Sequence, residues 1–127
     1  MDYTTADYEA AIAVIKEHTD IIPEIGLVLG SGLGTIANEI ENPTIIPYEK
    51  IPGWPLSTVH GHSGNLVIGT LEGKKVVAQQ GRAHFYEGYT MKQVTFPIRI
   101  MTLLGVSTVI LTNAAGGVDP SFSVGDV

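Results

Sequence analysis

The feature that most constrains this chain is an apolar run that stops in a glycine-rich turn: Ile25-Gly26-Leu27-Val28-Leu29 leads directly into Gly30-Ser31-Gly32-Leu33-Gly34. A short buried strand ending in glycines and a serine leaves backbone N–H groups unpaired and aimed at one place. Folds gather an anion in this way without using positive charge. The same residues also fit a plain strand-to-helix connection whose glycines supply positive φ, and the turn alone does not separate the two. Two better-known loops are excluded. Thr35 stands where a G-x-G-x-x-G loop needs its third glycine, and no lysine follows at Walker A spacing.

The rest of the chain is read outward from that strand. Tyr8, Ala11, Ile12 and Ile15 have the spacing of an amphipathic helix. Thr4 and Asp7 form its capping box, with Asp in place of Glu or Gln, and Pro23 lies beyond its end. Leu33–Glu41 predicts a helix rising from the turn and stopped by Asn42-Pro43. Thr44–Tyr48 predicts a strand. Residues 49–64, with Pro52, Pro55 and no periodicity, read as a long lid or binding loop. Leu66–Leu71 and Lys75–Gln79 flank Glu72-Gly73-Lys74 as a hairpin. Thr90 and Gln93 cap a helix through Leu104, closed by Gly105, with Val94, Pro97, Ile98, Met101 and Leu104 as its buried stripe. Pro97 costs that helix a hydrogen bond and predicts a kink. Ser107–Leu111 predicts another buried strand.

Strands and helices alternate with one hairpin inserted, which predicts an α/β fold: a mixed central β-sheet flanked by helices. Ligands of such sheets sit beyond the carboxyl ends of the strands. Residues 30–34, 81–89 and 112–117 all follow strands, so all three can share one edge.

Composition narrows the partners. The chain has 127 residues, 44% of them hydrophobic and 16% charged, which suits one ordinary domain with its own core. Its formal net charge is −6 and its seven Lys and Arg are scattered, so nucleic acid is not an expected partner and any phosphate must be held by local groups. The absence of cysteine excludes a disulfide framework and a thiolate nucleophile. The first residues lack the basic and apolar regions of a secretory signal, and no stretch approaches the ~20 apolar residues of a membrane span. A cytoplasmic protein with no membrane contact is the expectation. Val124-Gly125-Asp126-Val127 reads as a turn and the start of a strand, so the polypeptide is expected to be half of something larger.

Chemistry concentrates in Gly81-Arg82-Ala83-His84-Phe85-Tyr86-Glu87-Gly88-Tyr89. In an extended segment Arg82 and His84 point the same way, so both can face one anion. Arg offers a bidentate fork, and His adds charge or moves a proton. The competing picture is a solvated loop with a surface Arg82–Glu87 pair worth little. The bracketing glycines and the density of ionisable groups favour a site. Tyr86 and Tyr89 can meet sugar hydroxyls or simply pack. Glu87 can fix the tautomer of His84, or be a solvated charge. His60 and His62 are too few for a metal centre, which leaves a substrate contact or an idle loop residue. Thr112-Asn113-Ala114-Ala115-Gly116-Gly117 offers exposed amides, or is a plain turn.

Taken together, Gly30–Gly34, His62-Ser63-Gly64, Gln80–Tyr89, Val94-Thr95-Phe96-Pro97 and Leu111–Val118 resemble the trimeric, low-molecular-mass purine nucleoside phosphorylases, in order and from about Tyr3 to Val127. The resemblance implies reversible phosphorolysis of purine (deoxy)ribonucleosides to free base and (deoxy)ribose 1-phosphate, with inorganic phosphate as co-substrate and no cofactor or metal. It implies phosphate binding by Ser31, Arg82, His84 and the amide of Ala114, ribose contacts by Tyr86 and His62, and catalytic roles for His84 and its partner Glu87. It implies a homotrimer in which a neighbouring subunit completes each site. Chains of that family are considerably longer, and their base-reading Glu and Asn, a further phosphate-binding Ser and a second sugar-side His lie beyond the matched part. Residues 1–127 are therefore expected to be the N-terminal part of one domain and inactive alone. The alternatives are a methylthioadenosine phosphorylase, which shares fold and reaction, and a non-catalytic phosphate-binding or assembly fragment.

Overall fold

The computed structural model describes residues 2–30, 32–56 and 64–127. Helix α1 (Thr5–His18) starts at the predicted capping box: the Thr4 hydroxyl accepts from the Asp7 N–H at 3.3 Å, and the Asp7 carboxylate accepts from the Thr4 N–H at 2.7 Å. Strand β1 is Ile25–Leu29. The helix expected over Leu33–Glu41 is a shorter 3-10 helix, Gly34–Glu39. Asn42 and Pro43 do not interrupt the chain there but lie inside β2 (Glu41–Pro47). That placement is possible because β2 is outermost in the sheet and pairs with β3 alone among the described strands, where a residue without an N–H is tolerated. Asn42 takes a left-handed φ of 48° at a shift of register between Glu41 and Thr44, a conformation Asn accepts more readily than most residues.

Strands β3 (Asn65–Leu71) and β4 (Lys74–Gln80) form the predicted hairpin. Its turn is Glu72-Gly73, with φ of 50° and 78°, the two positive values that match the twist of a two-residue hairpin. Helix α2 (Met91–Leu104) begins at the Thr90–Gln93 capping box and runs on through Pro97. Strand β5 is Thr108–Leu111.

The sheet is mixed, in the order β2-β3-β4-β1-β5, with β2, β3 and β4 antiparallel and β4, β1 and β5 parallel. Alternation along the strands divides the core in two. Leu66, Ile68 and Val77 face α1 and α2, meeting Ala11, Ile15, Phe96, Ile100 and Met101. Val67, Val76, Ala78, Leu27 and Leu29 face the other way, against Ala37 and Ile40.

Two expectations about burial need correction. The buried face of α2 is wider than the predicted stripe: Pro97, Met101 and Leu104 are buried as expected, Phe96 and Ile100 are fully buried as well, and Val94 and Ile98 are half-buried. Phe96 is drawn inward by a cluster of rings, with centroids 4.3 Å from Tyr3, 5.2 Å from Tyr8 and 6.1 Å from Trp54. Strand β5 is not buried. Val109, Ile110 and Leu111 are 36%, 46% and 64% exposed, because among the described strands β5 pairs with β1 alone and no described element covers it. No described helix is long and apolar enough to cross a membrane.

Candidate functional site

The parallel half of the sheet brings the three loops together. Leu29 stands opposite Gln80, and Val28 opposite Leu111, so the glycine turn, the 81–89 loop and the 112–117 loop leave neighbouring strands at one edge. The glycine turn is closed by the Leu33 N–H donating to the Gly30 carbonyl at 3.1 Å. Gly30 is buried against the start of the third loop. A Cβ there would stand 2.8 Å from the Thr112 carbonyl oxygen, so no larger residue fits without displacing backbone. Ser31, expected to give its hydroxyl to phosphate, lies outside the described residues, as do His60 and His62.

Strand β4 delivers the second loop. The Gln80 side chain donates to the Gly34 carbonyl at 3.1 Å and accepts from Asn65 at 3.2 Å, tying the glycine turn to β4 and β3. Tyr48, stacked on Trp54 with centroids 4.9 Å apart, donates its hydroxyl to the Gly81 carbonyl. Burial pushes that hydroxyl far above its ordinary value of 10.0, so it remains a neutral donor under the first residue of the loop. The stability this confers is complete below about pH 10 and is lost as pH rises further, since the unfolded chain then releases a proton that the folded chain keeps. Tyr3 shares the direction, also through burial. Urea melts between about pH 8 and pH 11 are therefore expected to weaken at the alkaline end. Tyr48→Phe is expected to flatten that decline, and an unchanged slope in the variant would show that Tyr48 titrates normally.

Arg82 donates from Nη1 to the Thr112 carbonyl at 3.0 Å, which anchors the guanidinium to the third loop while its other N–H groups keep their donor capacity. His84 precedes a 3-10 turn, Phe85–Glu87. Its backbone N–H donates to Glu87 Oε2 at 2.6 Å, and its Nδ1 lies 3.2 Å from the same oxygen. The Glu87 side chain is only 4% exposed whereas that of His84 is 33% exposed, so the carboxylate is sheltered and the imidazole still reaches solvent. A carboxylate can only accept. With Glu87 ionised, Nδ1 carries the hydrogen and Nε2 is the working nitrogen: an acceptor in the neutral ring, a donor in the imidazolium. Tyr86 stacks on the His84 ring at 4.8 Å and is 81% exposed, its body spread over the imidazole and its hydroxyl open to a ligand.

In the third loop Ala114 and its neighbours are exposed. Thr112, at its head, carries contacts to both other loops. The sequence placed Thr112 and Gln80 in the candidate segments but gave their side chains no role, and it missed Tyr48 altogether. Each works through a partner distant in sequence, and only the polar character of Thr112 after an apolar strand hinted at it. Among the described residues no group of His, Asp and Glu could hold a metal ion. The edge thus offers one anchored guanidinium and one imidazole oriented by a carboxylate, beside the exposed backbone of the third loop. That set suits a bound oxyanion beside a neutral ligand.

Comparison with known proteins places this arrangement. Residues 24–127 match the model of the phosphorylase superfamily. A purine nucleoside phosphorylase 1 of Bacillus subtilis is 60% identical over 119 residues, covering 94% of this chain and 44% of its own. The Schistosoma mansoni purine nucleoside phosphorylase solved in complex with inosine superposes with a TM-score of 0.89 at 45% identity, over 99% of this chain and 44% of that one. Isoform 2 from the same organism, solved with cytosine and ribose-1-phosphate, gives 0.90 at 44% identity, with the same two coverages, 99% and 44%. The chain thus spans under half the length of these relatives. With the family model matched from Glu24 through all three loops, the chain belongs to the phosphorylase superfamily.

Proposed function

We propose that these residues supply the phosphate side and part of the ribose side of a purine nucleoside phosphorylase. The complete protein would cleave purine (deoxy)ribonucleosides with inorganic phosphate, releasing the base and (deoxy)ribose 1-phosphate. The observation that carries this reading is the meeting of Arg82 and the His84–Glu87 pair with the glycine turn at one sheet edge. The chain's similarity to structures holding inosine and ribose-1-phosphate supports it. Arg82, His84, the Ser31 hydroxyl and the Ala114 amide hold phosphate. Tyr86 and His62 contact the sugar.

In this reaction a phosphate oxygen forms a bond to the anomeric carbon as the bond to the base nitrogen breaks, and the electron pair leaves with the base. Positive charge builds on the sugar in between. A dianion held in line stabilises it, and orienting both partners removes most of the entropic cost. Glu87 fixes the ring of His84, so that Nε2 meets phosphate in either protonation state. The proposal extends to a homotrimer in the cytoplasm, and to residues 1–127 as the N-terminal part of a single domain.

Inosine cleavage by the complete protein, assayed with and without phosphate, tests the reading. Hypoxanthine release is expected to fall by at least about a hundredfold on removing phosphate, since the anion supplies both nucleophile and counter-charge. Equal rates in both assays, with free ribose as product, would make the enzyme a hydrolase.

A further inference from the structure

We propose that Thr112 is a positioning residue for phosphate binding, holding the glycine turn and Arg82 at a fixed separation. The inference rests on the phosphorolytic reading above. Thr112 lies one residue past β5 and makes four hydrogen bonds in three directions. Its hydroxyl accepts from the Gly30 N–H at 2.8 Å and donates to the Val28 carbonyl at 2.7 Å, so both capacities of the group are used. Its backbone N–H reaches the same Val28 carbonyl at 3.1 Å. Its own carbonyl accepts from Arg82 Nη1 at 3.0 Å. One residue thereby ties the end of β1, the first amide of the glycine turn and the guanidinium.

A threonine that merely finished the β1–β5 ladder would need only its backbone N–H, which any residue keeps. The hydroxyl does something separate: it is the partner of a buried amide at the mouth of the turn. Without it the Gly30 N–H is orphaned, and a buried donor finds a new partner only by moving. Gly30 lies close beside the third loop, where an added Cβ would stand 2.8 Å from the Thr112 carbonyl oxygen, so the turn moves more easily away from that loop than toward it. Displacement away from Arg82 would widen the space in which phosphate is held. The Tyr86 side chain, stacked on His84, would be untouched.

The test uses the complete protein. Phosphate-dependent cleavage of inosine by the wild type is measured first. Its absence would overturn the phosphorolytic reading, and this inference with it. Given that activity, Thr112→Val is expected to raise the KM for phosphate about tenfold, the loss expected from one buried unpaired donor, with the KM for inosine within about twofold. Thr112→Ser, which keeps the hydroxyl, is expected to stay within about twofold of wild type in both. Melting curves with inorganic phosphate supply a second readout: Thr112→Val should need about tenfold more phosphate than the wild type or Thr112→Ser to reach the same rise in Tm. Should the valine variant not fold, Thr112→Ala carries the same comparison without a methyl against Val28. An unchanged phosphate KM, parallel rises in both KM values, or a serine variant as impaired as the valine one would each overturn the role.

Discussion

Replacing Arg82 by alanine in the complete protein is expected to raise the KM for phosphate by about 10–100-fold, the cost of a charge-assisted, forked contact worth roughly 1.5–3 kcal/mol. The KM for the nucleoside should move little, because nothing places the guanidinium on the sugar side. The variant should also fold, since among the described residues the guanidinium's hydrogen-bond partner is a single backbone carbonyl, that of Thr112. Initial rates at varied phosphate and varied inosine separate the two effects. A wild-type phosphate KM together with a wild-type kcat would make Arg82 a surface residue. Arg82→Lys should recover only part of the loss, because an ammonium supplies charge without the planar fork.

Residues 1–127 expressed alone are expected to release no hypoxanthine above background and to associate in solution. The reason is the open side of the sheet. Val109, Ile110 and Leu111 are exposed on β5, and Leu103, Val118 and Phe122 present further apolar surface nearby in sequence. A strand with one open edge and several exposed apolar side chains favours association over a stable monomer. The relatives solved with inosine or ribose-1-phosphate are more than twice as long as the part this chain matches, at 44% coverage of each. Size-exclusion chromatography, a urea melt and an inosine assay decide the matter. A monomer that unfolds cooperatively and turns over inosine near the rate of the complete protein would mean that the functional unit is smaller than proposed.

Much of the fold was legible because its signals are local. The capping boxes at Thr4–Asp7 and Thr90–Gln93 act over three residues, and the hairpin turn over two positive-φ positions. The three loops of the site could be named because a sheet of this class places its ligand at the strand ends. What escaped depends on contacts across the fold. Nothing near Tyr48 in sequence shows that its hydroxyl meets Gly81, and nothing near Thr112 shows that it meets Gly30, 82 positions away. The burial of β5 was misread for a related reason. An apolar run gives a strand its propensity, but what covers the strand is decided elsewhere. Phe96 and Ile100 were missed because α2 packs against both a sheet and a cluster of rings, so its inward face is wider than one stripe.

Pro43 and Pro47 in the outermost strand make the two margins of this sheet unequal. At the β2 margin they remove two of the N–H groups that an incoming strand would need, and the register shift at Asn42 bends the row that remains. That side is a poor template for pairing with another chain. The β5 margin has neither device: Thr108–Leu111 is proline-free, uncharged and regular. Lateral association of residues 1–127 taken alone therefore has a direction: among the described strands, the β5 margin is the better template for an incoming strand.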